Sequence, residues 1–520
     1  MKSSPTLTEN KAASLERTWL WRPALLAFVS SACIMILELV AGRILAPYVG
    51  TSLYTWTMII AVVLAGLSLG NYLGGRVADR WASLPLLGGV YLLGGLTSLS
   101  ILAVDVLDRF TALEALTWDT LPLVVALVAF STALLFVPCV ILGSISPVVV
   151  RLSVHNLATT GSAVGRIYAA GSAGSIVGTF ATGFLLVSWF GTHIVVWGVG
   201  LALLILGLLL LVGGRWQWML LSIPILVGGS ALAFRLGWLN GPCTRETNYF
   251  CIQVREEERV GERVRALYLD RLLHSYTSLE DPTKLVYDYE KLYAEATAYQ
   301  AQRKDRLRAL FVGGGGYTFP RYMEAVYPTS DLYVIEIDPG VTEVAYDMLG
   351  LSRNTGILTA NEDARMFLER QPTGTYDLII GDAFNDYSVP YHLTTKEFND
   401  RVRAWLADDG LYVVNIIDGP WGHFLRAYIH TLRQTFRHVY PIFAIESWRR
   451  SSRSTIVIVA SDTPLDREAL EASSPLLTSQ LLGEEEVDTL LAEGRVVTLT
   501  DRYAPVDQML FRVFLEQVPK

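Results

Sequence analysis

Histidine and cysteine are scarce in this 520-residue chain: there are seven of the first and four of the second. They nowhere gather at the spacings a metal ion needs, so no metal site is expected. Positive charge is also short. The 42 Lys and Arg are outnumbered by 50 Asp and Glu, for a net charge of −8. No basic patch with interleaved aromatics occurs, so nucleic acid is not an expected partner. The glycine-rich turn Gly313–Gly316 lacks the Gly-x-Gly-x-x-Gly spelling and is followed by no Gly-Lys-Ser/Thr. Its ligand is therefore read as a nucleoside rather than a phosphate.

Charge is missing most of all from the first half. Residues 1–240 carry 12 Lys+Arg and 8 Asp+Glu, net +4, and residues 241–520 carry 30 and 42, net −12. The chain is too long for one compact domain, and this break divides it. A helix needs ~20 apolar residues to span a bilayer core. Seven stretches qualify: 23–46, 52–74, 84–104, 120–143, 164–189, 191–213 and 216–236. The first apolar run continues past signal-peptide length, so it reads as a retained helix. With the N-terminus inside, nine Lys and Arg fall on inner segments and only Arg43 and Arg109 on outer ones, which orients the chain N-terminus in. Seven crossings place residues 241–520 outside and six place them inside. The expected location is the cell's inner membrane, with a cytoplasmic N-terminus and the side of the second half left open. Cys33 and Cys139 lie in apolar runs, whereas Cys243 and Cys251 flank a strand start, where pairing is an open alternative.

Residues 241–520 read as an α/β domain. Tyr249–Glu256 and Arg263–Tyr276 alternate apolar and polar residues, predicting a small antiparallel sheet over 245–280. Strands are then predicted at 309–312, 331–337, 356–359, 376–381, 411–417, 438–444 and 454–460, with helices near 318–326, 340–348, 362–370, 395–406 and 422–436. The alternation over 300–460 predicts a doubly wound sheet, whose ligands sit off the strand carboxyl ends. An acidic, helical extension is expected over 461–520. The turn Leu499–Pro505 reads as fixed, without an evident role.

Chemistry gathers at the strand ends. The first gives Gly313, Gly314 and Gly315, the second Glu336 and Asp338, the third Glu362, Asp363 and Ala364, and the fourth Asp382 and Asp386. An acid about twenty residues past the glycines suits a ribose diol, which assigns it to Glu336. A carboxylate at the third end can accept the exocyclic amine of adenine. Taken singly, each acid reads as a helix cap, but four successive strand ends with acids point to a site.

The turn Gly313-Gly-Gly, Val334-Ile-Glu-Ile-Asp338, Glu362-Asp-Ala364, Ile380-Gly-Asp-Ala383 and His392-Leu-Thr-Thr-Lys-Glu-Phe398 resemble the spermidine synthase family of aminopropyltransferases. The whole chain resembles the fused members that carry a membrane-embedded helical domain. The fold this implies is a transmembrane bundle followed by a methyltransferase-like α/β domain. The implied activity moves the aminopropyl group of decarboxylated S-adenosylmethionine, a co-substrate rather than a tightly bound cofactor, to putrescine or a related amine. By resemblance Glu336 holds the ribose, Asp363 the adenine and Asp382 the attacking amine. Asp386 is a second amine anchor and Tyr289 lines the acceptor side. The chain departs from the family pattern at three places. Gly316 stands where the family has an Asp, His274 where it has a Gln, and Asp382-x-x-x-Asp386 replaces Asp-x-x-Asp. The partners implied are a polyamine, the nucleoside and the bilayer, with homodimerisation left open.

Two other readings remain. Gly316 favours an S-adenosylmethionine-dependent methyl or alkyl transferase. Glu38 within the first span, and the loop Gly74–Arg80, which resembles one in major-facilitator transporters, favour a polyamine or nucleoside transporter with a non-catalytic binding domain.

Overall fold

The computed structural model describes residues 7–103, 123–154, 159–212, 216–237, 239–383, 389–444, 454–473 and 480–515. The chain divides into two compact units, Met1–Val49 with Tyr54–Pro242, and Gly50–Leu53 with Cys243–Lys520.

The first unit is helical. Six segments among the described residues are long and apolar enough to cross a membrane: Pro23–Val49, Leu53–Trp81, Leu84–Ala103, Val128–Ser153, Thr160–Phe190 and Thr192–Leu211. The seventh expected stretch is the helix Trp216–Arg235. Small residues set the packing distances, as they do where van der Waals contact rather than hydrophobic exclusion holds helices together. A Cβ on Gly174 would stand 2.1 Å from the carbonyl oxygen of Phe28, and one on Gly88 would stand 2.8 Å from that of Gly207.

The second unit holds two sheets. β1 (Arg245–Glu246), β2 (Cys251–Arg259), β3 (Glu262–Leu269) and β4 (Leu272–Thr277) form an antiparallel meander. The larger sheet contains β5 (Arg308–Val312), β6 (Asp331–Ile335), β7 (Leu358–Ala360), β8 (Tyr376–Gly381), β9 (Leu406–Asp418), β10 (His438–Phe443), β11 (Ser454–Ser461) and β12 (Gln480–Leu481). Their order is β12-β10-β11-β9-β8-β5-β6-β7. β5 pairs in parallel with both β6 and β8, so the winding reverses there and leaves a crevice at the carboxyl ends of these two strands. β11 is antiparallel to β9 and β10. β12 brings part of the expected C-terminal helical extension onto the sheet edge.

The central strands Ala309–Val312, Val334–Ile335 and Leu378–Ile380 are almost fully buried, as continuous apolar runs in a sheet covered on both faces should be. One element lies outside the expected set, the helix Asp288–Ala301. It is enclosed on nearly every side and buries Tyr289, Leu292, Tyr293, Ala296 and Tyr299 along with Glu290, Glu295, Thr297 and Gln300.

Candidate active site

The glycine turn leaves β5 with Gly313 at φ +100°, a left-handed conformation that favours glycine. A Cβ there would meet the Asp382 carbonyl oxygen at 2.3 Å, so the first and fourth strand ends touch through this residue. The amide of Gly314 donates to Glu336 Oε2 at 2.8 Å, and the amide of Asp338 donates to Glu336 Oε1 at 2.9 Å. The Gly315 amide also helps hold this carboxylate, and the acceptor capacity that remains can serve a ligand. Burial pushes the Glu336 carboxyl up to about 7, and these backbone donors offset part of that rise.

The next two acids are helix caps as well as site residues. Asp338 Oδ1 accepts from Gly340 N at 2.8 Å, and its Oδ2 accepts from Thr247 Oγ1 at 2.5 Å. Both oxygens of Asp338 thus have partners inside the protein. Asp363 caps the helix Ala364–Leu368 through Oδ1, which accepts from Arg365 N and Met366 N at 2.8 and 3.2 Å. Its Oδ2 stands 3.5 Å from His392 Nε2. The capping that makes such an acid unremarkable therefore uses one oxygen of Asp363 and leaves the other at the cavity.

Asp382 follows β8. Its amide donates to the Val312 carbonyl at 2.8 Å, and its Oδ1 accepts from Asn415 Nδ2 at 3.0 Å. Burial raises its pKa above the ordinary carboxylate value, and the Asn415 amide and the Tyr289 and Tyr293 hydroxyls offset part of the rise. Both tyrosines come from the helix Asp288–Ala301. Tyr289 donates to the His274 carbonyl at 2.8 Å and packs edge-on against Tyr293, with ring centroids 5.3 Å apart. Glu290, on the same helix, is buried with Oε2 unpartnered. Burial first, and the Asp382 charge second, push its pKa well up. Two buried acids thus stand close together, and each disfavours ionisation of the other.

A cavity of about 160 Å³ joins these groups, lined by His274, Gly313, Gly315, Glu336, Glu362, Asp363, Ala364, Asp382 and His392 among others. Among the described residues, no Lys or Arg lines it. The structure thus brings seven of the expected residues, namely His274, Gly313, Gly315, Glu336, Asp363, Ala364 and Asp382, to one cleft. Gly314 joins it through its amide on Glu336, and Tyr289 stands behind Asp382. Asp386 lies outside the described residues. The stretch His392–Phe398, read from the sequence as a helix start that also borders the site, supplies His392 and Leu393 to the wall. Sequence reasoning did not single out Asn415, Glu290, Tyr293, or the pair Tyr249 and Phe250, which also line the cavity. For Asn415 a signal existed, a single amide in the apolar run Val413–Ile417.

Two features of the wall follow from close approach. The loop leading into β2 is closed by a disulfide between Cys243 and Cys251, and it carries Tyr249 and Phe250. The pairing left open from spacing is therefore made. At Gly316 a Cβ would lie 2.1 Å from Ser275 Oγ. A side chain at this position would force the Ser275 hydroxyl to turn away and would press on its Cβ at 3.2 Å, so the packing of β4 here disfavours an acid.

No family model matches the chain. Among curated proteins it is similar to a polyamine aminopropyltransferase of Vibrio vulnificus (strain CMCP6), with 28% identity over 213 residues covering 38% of this chain and 69% of that protein. It is also similar to polyamine aminopropyltransferase 2 of Streptomyces coelicolor, with 25% identity over 413 residues covering 75% of this chain and 72% of that protein. The second likeness extends well into the helical half. Among solved structures, a probable spermidine synthase from Corynebacterium glutamicum aligns with 24% identity and a TM-score of 0.44, over 48% of this chain and 93% of that one.

Proposed function

We propose that this chain, a spermidine synthase-like aminopropyltransferase with a fused apolar helical half, moves the aminopropyl group of decarboxylated S-adenosylmethionine to putrescine or a related amine and releases methylthioadenosine. The observation that carries this reading is the convergence of Glu336, Asp363 and Asp382 on one cavity that, among the described residues, is lined by acids and two histidines but by no Lys or Arg. Such a wall suits a sulfonium donor and an ammonium acceptor, both cations.

In this reading the Glu336 carboxylate accepts from the ribose diol, and Asp363 Oδ2 accepts the adenine amine. An alkylammonium cannot attack until it loses a proton. Asp382, its pKa raised toward the working range, takes that proton. The freed nitrogen lone pair then forms a bond to the aminopropyl carbon attached to sulfur. The C–S bond breaks, its electron pair stays on sulfur, and methylthioadenosine leaves. Alignment of nitrogen, carbon and sulfur supplies much of the acceleration.

Gly316 favours a second reading, methyl transfer from S-adenosylmethionine, because no acid occupies the place where an aminopropyl amine would be held. One assay separates the two. Purified protein is incubated with each nucleoside and a panel of di- and polyamines. Methylthioadenosine from the decarboxylated donor is expected. S-Adenosylhomocysteine from the carboxylated donor would establish the second reading instead, and neither product would end both.

We read the helical half as a multi-pass membrane anchor with its N-terminus in the cytoplasm. The Cys243–Cys251 disulfide favours an oxidising compartment and hence residues 241–520 on the far side, which requires the helix Trp216–Arg235 to cross in addition to the six long apolar helices. In intact cells an impermeant maleimide should label Cys243 and Cys251 only after an impermeant reductant is added. Labelling that needs permeabilisation but no reductant would put the domain in the cytoplasm.

A further inference from the structure

The turn Leu499–Pro505 docks on the wall of the cavity. It closes on itself through reciprocal backbone hydrogen bonds, Thr500 N to Tyr503 O at 3.0 Å and Tyr503 N to Thr500 O at 2.9 Å. Leu499 is fully buried, its amide donates to Thr431 Oγ1 at 2.9 Å, and its carbonyl accepts from Lys396 N at 2.8 Å. Asp501 sits at the centre of the contact. Its carboxylate takes both Nη1 and Nη2 of Arg365, at 2.8 and 2.5 Å, and the Thr395 hydroxyl at 2.8 Å. Its amide donates to Glu397 Oε2 at 3.1 Å.

Arg365 is the second residue of the helix that Asp363 caps. The same Nη1 donates to the His392 carbonyl at 2.8 Å, so one guanidinium joins the helix bearing Asp363 to the stretch bearing His392. Both residues line the cavity. The guanidinium can hold that position because Asp501 fixes its planar fork at two points. Arg365 is 17% exposed and Asp501 40%, so it is the bidentate geometry and the added Thr395 and His392 contacts, rather than burial, that hold the pair.

We infer that the C-terminal turn Leu499–Pro505 is part of the nucleoside site, with Asp501 a positioning residue that sets the spacing between Asp363 and His392 through Arg365. The inference rests on the cavity being a nucleoside pocket, and it assigns a role to a segment more than a hundred residues from the glycine turn.

Calorimetric titration of full-length protein with methylthioadenosine tests it. Asp501→Asn, which removes charge at nearly constant shape, should weaken nucleoside binding roughly tenfold by loosening a bidentate pair. The KM for the amine should move less than about twofold, and Asp501→Glu should recover part of the loss. A thermal-unfolding change with both affinities intact would reduce Asp501 to a structural role and overturn the inference. So would equal losses for nucleoside and amine. Should Asp501→Asn fail to fold, Glu397→Ala loosens the turn without touching Arg365. A nucleoside Kd weakened severalfold then supports the inference, and an unchanged Kd overturns it. If wild-type protein binds no nucleoside, the pocket reading itself fails, a result distinguishable from failure of the clamp.

Discussion

Asp382→Asn should lower kcat roughly a thousandfold, about 4 kcal/mol of transition-state stabilisation, while nucleoside binding changes less than about threefold. The substitution keeps shape and keeps an oxygen able to accept from Asn415 Nδ2, which lies 3.0 Å away. It removes the charge that attracts the ammonium and the base that takes its proton. Stability moves the other way. Burial holds the Asp382 pKa above that of the unfolded chain. Its contribution to stability is therefore complete below the unfolded value and is lost as pH rises through the folded one. Ionising this buried carboxylate costs the wild type stability that the variant does not lose, so Asp382→Asn should melt no lower than wild type. The rate profile gives a second readout. Wild-type kcat/KM for the amine should fall as acid protonates Asp382, and this acidic limb should vanish from the variant's residual activity. A kcat within tenfold of wild type would remove Asp382 from the chemistry.

How much of this was legible beforehand depended on whether the cause was local. The strands β5, β6 and β8 declare themselves because central strands of a covered sheet must be apolar throughout, and Leu310–Val312, Val334–Ile335 and Leu378–Ile380 are. The residues just after β6 and β8 are exposed to a ligand by topology, so Glu336 and Asp382 could be named from position; Asp363 follows the short β7 in the same way. The helix Asp288–Ala301 could not. A helix buried on nearly all faces has no polar side to set up a 3.6-residue alternation, and its Tyr and Glu residues read as surface. Yet it places Tyr289, Glu290 and Tyr293 behind Asp382.

Contacts between distant segments were hidden for a related reason. Gly316 looked like an omission from a family pattern. Its cause is the Ser275 hydroxyl on β4, in another sheet, which no local rule places there. Asp501 meets Arg365 across 136 residues, so the turn could be recognised as fixed but not as part of a wall. The dual use of Asp363 also needed coordinates. Cap and ligand contact were rival interpretations of one residue, and its two oxygens separate them.

Replacing Glu336 with Gln should weaken nucleoside binding about a hundredfold and remove its pH dependence. The carboxylate accepts from the amides of Gly314 and Asp338, with the Gly315 amide also close. In the proposed complex its remaining acceptor capacity takes the ribose diol, a hydrogen bond to a charged group being worth roughly 1.5–3 kcal/mol. A glutamine turns an N–H toward one of those backbone amides, setting donor against donor, and loses the charge. A loss of about 3 kcal/mol is about a hundredfold in Kd. The acid must be ionised to accept in this way, and burial raises its pKa from 4.5 to about 7. Wild-type affinity should therefore climb as pH rises through about 7 and then level, whereas Glu336→Gln should titrate flat. The free protein carries the opposite signature. A folded-state pKa above the unfolded one gives stability that is present below 4.5 and lost as pH rises through about 7, a change of about 3 kcal/mol. Ligand-free Glu336→Gln should accordingly lose less stability than wild type between pH 4.5 and 7. Opposed trends in affinity and stability over one pH window follow only if a single buried carboxylate governs both. Wild-type nucleoside affinity that stays level across that window would show that Glu336 does not hold the ligand.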